Sequence, residues 1–546
     1  MPTSADASFP PSSKPFGTLQ EALDWLTSRI DYERTRRMPP AERSFQLDRM
    51  ARLLALLGHP ERQFPAVHVA GTKGKGSTSA MVAAILQAAG YRTGLYTSPH
   101  LEKLQERIRI NGQMPTDPQM LELLNAVWPA VCQMDRQTGQ QGGSDTDLSV
   151  GSEIQGHCSS EPSFPVGPRS CQRLPPIMRK GNSTDSSKWK LPDTLEFPPP
   201  SQGQPIPSPT GPTYFEILTA MGMLHFARQK VQLAVLEVGL GGRLDATNLC
   251  QPVVSVITSI SFDHTQLLGN TLEAIAAEKA GIIKPGIPVV SGVTQPGPRE
   301  VIRQVCQTYQ APWIELEKDF WYAYTPPRNL PRSAERGRMD FQYQGPGGPW
   351  RLEGVELNLL GRHQAANAAV ALATVALLRQ AGWQIPDGAC RQALAQLRWP
   401  ARCELLPAAP GRPAVLLDTA HNVASVQALL EVLEESFVVG RRLLVFATTE
   451  DKDVPGMLDR LLPAFDEVVL THYLDNPRRM PVEQLVRLAR QIGGREYPAA
   501  TSPAEAWEMA HRLARPEDLV CITGSFFLIG QILSVLRTFY ASGPEN

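Results

Sequence analysis

GTKGKGST, Gly71–Thr78, stands between an apolar run, PAVHVA (65–70), and a run of helical character, STSAMVAAILQAAG (77–90). The first run alternates as a strand does, with Val67 and Val69 on one face. The second has the Ala/Leu content and spacing of an amphipathic helix. Strand, glycine-rich turn and helix form the geometry that cradles phosphate. Glycines let backbone N–H groups turn inward, the helix N-terminus carries partial positive charge, and Lys75 adds a full one. The chain is therefore expected to bind a nucleoside triphosphate.

The loop departs from the usual phosphate-loop pattern, in which Ser or Thr directly follows the lysine. Gly76 follows Lys75, and Ser77 comes one position later. From the residues alone, a hydroxyl for a magnesium ion could come from Ser77, Thr78 or elsewhere.

Working outward, 546 residues predict two or three domains. Hydrophobic residues at 42% and charged residues at 20% are those of a globular protein. A net charge of −1, from 53 basic and 54 acidic residues, argues against a nucleic-acid binder with a broad basic face. Cys132, Cys158, Cys171, Cys250, Cys306, Cys390, Cys403 and Cys521 are scattered without CxxC pairs, which reads as reduced thiols of the cytoplasm. The start, MPTSADASFPPSSKPF, lacks an apolar signal core, and no apolar run is long enough to span a bilayer.

Residues 1–16 read as a disordered tail, followed by helices around Thr18–Ile30 and Ser44–Leu57. A second βα unit is expected over 93–112. A helix is expected to end near Val131, and the Ser/Pro/Gly/Gln-rich stretch 133–211 reads as a mostly disordered insertion. A helix opens at PTYFEILTA, and buried runs then alternate with helices: LAVLEV (233–238), VVSVITSI (253–260) and PVVSGV (288–293). That alternation predicts a doubly wound, mainly parallel sheet in an α/β domain spanning 17–397. Phe320–Gly354 reads as a small antiparallel appendage, and a strong helix follows at GRHQAANAAVALATVALLRQAG. Residues 398–402 read as a linker. AVLLDTA, RLLVFATT, EVVLTHY and DLVCITG then predict a smaller Rossmann-like α/β domain over 403–546.

Candidate chemistry collects at strand ends. Glu237 closes LAVLE beside a glycine-rich loop and suits magnesium. His264 follows a buried strand and can ligate when neutral, with Asp263 as an alternative ligand or an orienting neighbour. Lys279 has apolar neighbours on a predicted helix, where shielding from water eases loss of its proton; pairing with Glu278 is the plainer expectation. Asp418 and His421 lie three apart in LLDTAHN, and the linker's Arg402 could reach a transferred phosphate. No GxSxG, HExxH or Cys–His pattern supports a covalent hydrolase or zinc protease.

In order along the chain, HVAGTKGKGS, LYTSPHLEKLQERIRING, TYFEILTA, LEVGLGGRLDATN, SFDHTQLLG, IAAEKAGIIKPG, HQAANAAVA and DTAHN resemble the folylpolyglutamate synthase/dihydrofolate synthase family of the Mur ligase superfamily. The resemblance covers both domains. It implies that ATP phosphorylates a substrate carboxylate and that the amine of L-glutamate displaces phosphate from the acyl phosphate. The acceptor would be a folate or dihydropteroate. It assigns ATP to Gly74, Lys75, Gly76, Ser77, Asn367, Arg402 and Asp418, and the terminal phosphate to His421. It assigns two Mg²⁺ ions to Ser98, Glu237, His264 and Lys279, with Lys279 carbamylated, and the pterin to Thr213, Tyr214, Phe215, Glu216, Leu244, Asp245 and Ala246. It also implies a cytoplasmic enzyme, expected to be a monomer, without nucleic-acid or membrane partners. DTAHN carries Thr419 where many members have glycine. A Mur-type cell-wall ligase is the nearest rival, but the 70 residues before the loop are expected to be short for that family's additional N-terminal domain. A nucleotide-gated scaffold without turnover is the rival of another class; the presence of Lys75, Glu237, His264 and Lys279 argues against it.

Overall fold

The computed structural model describes residues 16–34, 47–141, 211–409, 411–474 and 476–541. The tail before Phe16 and residues 142–210 of the expected insertion lie outside them. Phe16, expected in the tail, donates its N–H to Asn125 Oδ1 at 2.7 Å and packs its ring 5.3 Å from Trp25.

The first seven strands are β1 (Ala66–Ala70), β2 (Thr93–Tyr96), β3 (Ile108–Ile110), β4 (Leu233–Glu237), β5 (Pro252–Ile257), β6 (Val289–Ser291) and β7 (Trp313–Glu315). They form one sheet in the order β3-β2-β4-β1-β5-β6-β7, parallel except for β3. β1 runs between β4 and β5, with Val67 opposite both Val235 and Val254. All five of its residues are buried. The alternation at Val67 and Val69 therefore marks two covered faces.

The helix after the loop spans Lys75–Ala88 and is buried over most of its circumference, including Ala80–Ala83, Ile85 and Leu86. An amphipathic helix was expected. Its small residues instead let it lie between the sheet and the helices Arg362–Gln380 and Asp387–Gln396, with one shared core. The opposite face of the sheet is covered by Leu19–Thr27, Leu47–Leu56, Asp117–Gln141 and Tyr214–Arg228. The helix Asp117–Gln141 runs on past Val131, its expected end, with Pro129 inside it.

The expected second βα unit starts in 93–112 with β2, and the helix Asp117–Gln141 follows only after a further strand. β2 leads through a 3₁₀ turn, Leu104–Arg107, into β3, which pairs antiparallel with β2 at Gly94 and Ile110. The Glu106 carboxylate accepts from the N–H groups of Leu101, Glu102 and Lys103 at 2.9–3.0 Å. That capture holds the segment as a loop.

β8 (Phe320–Thr325), β9 (Gly337–Tyr343) and β10 (Trp350–Leu357) form the expected antiparallel sheet, whose apolar face joins the core of the helix Arg362–Gln380. The third sheet holds β11 (Glu404–Leu406), β12 (Ala414–Leu417), β13 (Arg442–Phe446), β14 (Glu467–Leu470) and β15 (Leu519–Thr523) in the order β11-β12-β15-β13-β14. Only β11 is antiparallel, and both faces of this sheet carry apolar cores. Among the described residues no helix is long and apolar enough to cross a membrane.

Candidate active site

The carboxyl ends of β1, β4 and β5 lie side by side, where open parallel sheets hold ligands. β1 delivers the loop Gly71–Thr78. Gly74 takes φ +82°, and a methyl group on it would strike Asn367 Oδ1 at 2.1 Å, so only glycine fits. Asn367 thus lies against the loop, with its amide donating to Gln364 Oε1 at 3.1 Å. Gly76 faces Glu237 and Trp399: a methyl group there would lie 3.4 Å from Glu237 Oε2 and 3.6 Å from Trp399 Nε1, in ordinary contact. Ser77 is buried inside the first helical turn.

β4 delivers Glu237. Its side chain is 4% exposed and accepts from the Ser98 N–H at 3.1 Å. Burial pushes its pKa up, against the pull of Lys75. β5 leads to Asp263 and His264. Asp263 accepts from Lys73 Nζ at 3.0 Å, Lys452 Nζ at 2.8 Å and Asn422 Nδ2 at 3.2 Å. Burial opposes its charge, yet the ammonium groups of Lys73 and Lys452 bonded to it hold its pKa well below the usual carboxylate range. The His264 side chain is 35% exposed, and its partial desolvation, with Lys452 and Lys75 near it, lowers its pKa.

Lys279 ends the helix Leu272–Ala280 and is 4% exposed. It does not pair with Glu278, whose carboxylate takes Arg243 Nη2 at 2.8 Å. Burial first, and then the charges of Lys75 and Lys73, bring Lys279 down to about 7. Burial likewise lowers Lys73 to about 8, despite Asp263. Ammonium groups crowded at one helix N-terminus make a strong anion site.

From the other side come the loops after β12 and β13. Asp418 is fixed by local bonds, accepting from Cys403 N at 2.9 Å and Ala420 N at 2.7 Å. His421 Nδ1 lies 2.8 Å from the Thr419 carbonyl and therefore donates to it, leaving Nε2 as an acceptor 3.3 Å from Lys73 Nζ. Its pKa falls to about 4 through burial and Lys73. Arg402 donates from Nη1 to Thr419 Oγ1 at 2.7 Å and lies over the Phe526 ring at 4.9 Å. A cleft lined by Gly76, Ser98, Glu237, Trp399, Arg402 and Phe526 runs between these elements.

The pterin-assigned residues carry mostly internal bonds. Glu216 accepts from Arg49 Nε at 2.8 Å and from Thr213 N and Oγ1, capping its own helix. Asp245 accepts from the N–H groups of Gly239, Leu240 and Thr247, which fixes the loop after β4. Tyr214 lies under the Arg107 guanidinium at 5.8 Å, and Phe215 packs against Gly239. Leu244 is half-buried and Ala246 is buried.

Among the described residues no group of three His, Cys, Asp or Glu side chains is gathered around one point. Glu237, bonded to the Ser98 N–H, lies beside Gly76 of the phosphate loop. Sequence reasoning missed Lys452, though its string, EDKD, stands just past a buried strand. It also ranked Asp263 as secondary, whereas the structure makes it the hub of the cluster.

Residues 201–375 match the Mur ligase middle domain, and residues 401–526 match the Mur ligase, glutamate ligase domain. The chain is 32% identical to the dihydrofolate synthase/folylpolyglutamate synthase of Bacillus subtilis, over 96% of this chain and all of that one. The folylpolyglutamate synthase of Mycobacterium tuberculosis, solved in complex with ADP, superposes with a TM-score of 0.73 at 30% identity, covering 96% of this chain and 99% of that one. Escherichia coli FolC, solved with DHPP and ADP, superposes with a TM-score of 0.70 at 26% identity, over 97% of this chain and the whole of that one. A Mur-type ATP-dependent ligase is thus the class that fold and site define. Within it, the chain belongs to the dihydrofolate synthase/folylpolyglutamate synthase family.

Proposed function

We propose that this cleft adds L-glutamate to a folate, and also to dihydropteroate, through an acyl phosphate. One observation carries the reading: the buried Lys279 and Glu237 and the half-buried Lys73 converge at the N-terminus of Lys75–Ala88, facing loops of a second α/β unit. A carboxylate is a poor electrophile, and phosphorylation turns one of its oxygens into a leaving group. Phosphoryl transfer needs cations and positioning more than covalent help from the protein.

In this reading Gly74, Lys75, Gly76 and Ser77 hold the ATP phosphates, with Asn367, Arg402 and Asp418 at the nucleotide and His421 at its end. Asn367 beside Gly74 supports the first group, and the stack of Arg402 on Phe526 supports the second. Ser98, Glu237, His264 and Lys279 hold two Mg²⁺ ions, which supply charge neutralisation at the phosphates when bound. The neutral imidazole and the buried, ionisable carboxylate suit that role. Lys279 titrates near neutrality, so a large fraction of it is the free amine that carbamylation requires. Thr213–Glu216 and Leu244–Ala246 shape the acceptor side. The catalytic unit is taken as a single chain. It works in the cytoplasm, in keeping with free thiols at Cys132, Cys250, Cys306, Cys390, Cys403 and Cys521. The division into 17–397, a linker at 398–402 and 403–546 is supported by separate parallel sheets on the two sides of the linker.

The deciding experiment is phosphate release with ATP and glutamate, comparing dihydropteroate, a reduced folate monoglutamate and a cell-wall precursor. Turnover with the first two supports the reading. Turnover with the cell-wall precursor alone overturns it.

A further inference from the structure

Two loops of the C-terminal sheet are joined along their backbones. The loop after β13 and the loop after β14 share Glu450 N to Arg478 O at 3.0 Å, Met480 N to Thr448 O at 3.0 Å, and a bridge between Thr449 and Arg479. Arg478 Nη2 donates to Asp451 Oδ2 at 2.7 Å, tying the side chains as well. The pair therefore moves as one piece.

That piece touches the N-terminal half through Lys452 and Arg478. Lys452 enters the phosphate cleft, where its Nζ meets Asp263 Oδ1 at 2.8 Å, on the carboxylate that also holds Lys73 of the phosphate loop. Arg478 Nη1 donates to the Glu33 carbonyl at 3.1 Å. Glu33 is itself anchored, its carboxylate gripped by both terminal nitrogens of the fully buried Arg107 at 2.9 and 2.6 Å. Arg107 also lies over Tyr214 on the proposed acceptor side, and Tyr214 N donates to Ile30 O at 3.1 Å.

We infer that Arg478 is a positioning residue for the ligase reaction: by fastening the joined loops to the segment at Glu33, it sets Lys452 in the phosphate cleft and links the acceptor side to the phosphate side. A lysine stem is flexible, and holding its charge at one point requires a rigid base. Arg478 supplies that base with two directed bonds, one on each half of the molecule. The inference rests on the ligase reading for its kinetic test and has a second test free of it.

The kinetic test is a double-mutant cycle on phosphate release. Arg478→Met should lower kcat by about tenfold with little change in the KM for ATP, and Lys452→Met by at least as much. The double variant should be no slower than Lys452→Met alone, because Arg478 acts through Lys452. Arg478→Lys, able to reach one of the two acceptors, should recover part of the rate. Asp451→Asn takes the place of Arg478→Met should that variant fail to fold. Wild-type kcat in Arg478→Met, or multiplication of the two defects, overturns the inference. Absence of folate-dependent turnover in the wild type overturns the ligase reading instead. The second test is then decisive: hydrogen exchange in Arg478→Met should quicken both at 31–34 and at 449–453, and unchanged exchange at either segment overturns the coupling.

Discussion

Glu237 and Asp418 hold equivalent addresses, one at the carboxyl end of a parallel strand and the other just beyond one, in opposite halves of the molecule. Their surroundings differ. Asp418 is saturated by two backbone N–H groups and braces the linker at Cys403. Glu237 has one backbone donor, lies buried against Gly76, and has its pKa raised by desolvation. The contrast extends outward. The N-terminal half gathers buried and half-buried, incompletely matched charge at Lys73, Lys279 and Glu237, whereas the C-terminal half contributes fixed geometry. An acid that braces a chain is made comfortable by the fold. An acid or amine meant for a ligand is left waiting for one, at some cost in stability.

The sharpest way to break that division is Lys75→Ala, expected to lower turnover by on the order of 10²-fold or more in a phosphate-release assay. Near-normal turnover would remove the phosphate-loop role. Glu237→Gln should lose about 10²-fold in turnover yet leave the nucleotide-free protein no less stable in denaturant titrations. Its raised folded pKa means that its share of stability falls as pH rises above the unfolded carboxylate value of 4.5. A large drop in stability at pH 7 would show that Glu237 braces the fold as Asp418 does. Asp418→Ala should show the reverse emphasis, losing about 2 kcal/mol of stability from two orphaned N–H groups; an unchanged unfolding midpoint contradicts this. Lys279→Met should gain about 1 kcal/mol in the nucleotide-free protein by removing an unpaired buried amine, while turnover collapses. Lys279 is held at about 7 against 10.5 when unfolded, so its contribution rises with pH from about 7 toward 10.5. The pH dependence of stability in the variant should flatten over that window. The smallest effect is expected at Thr419→Ala, a few-fold rise in the KM for ATP from a loosened Arg402, with Thr419→Ser close to the parent. Equal KM values in all three proteins would mean that Arg402 needs no such support.

Strands β1, β4, β5, β12, β13 and β15 were legible because their buried apolar runs end at glycines or acids with chemical character. That Gly74, Lys75, Glu237, His264 and Asp418 stand at or just past strand ends was legible for the same reason. What sequence reading misplaced was decided by bonds between distant positions. Glu106 captures three N–H groups and holds a loop between β2 and the helix of its βα unit. Glu33 and Arg107 lie 74 positions apart, and only the packed sheet brings them together. Asp263 reads as an accessory to His264 until Lys452, 189 positions later, arrives beside it. Asp245 and Glu216, which the resemblance assigns to the acceptor, also accept bonds from their own loops, as polar groups without solvent tend to do.

The linker divides its loyalties within five residues. Trp399 lies against Gly76 and stacks with Arg109 at 5.1 Å, while Arg402 and Cys403 are bonded to Thr419 and Asp418. A chimaera that exchanges C-terminal halves between relatives should accordingly be spliced at the Pro400–Ala401 bond. A junction placed earlier would give the phosphate loop a foreign tryptophan, and one placed later would separate the arginine from the threonine it was matched to.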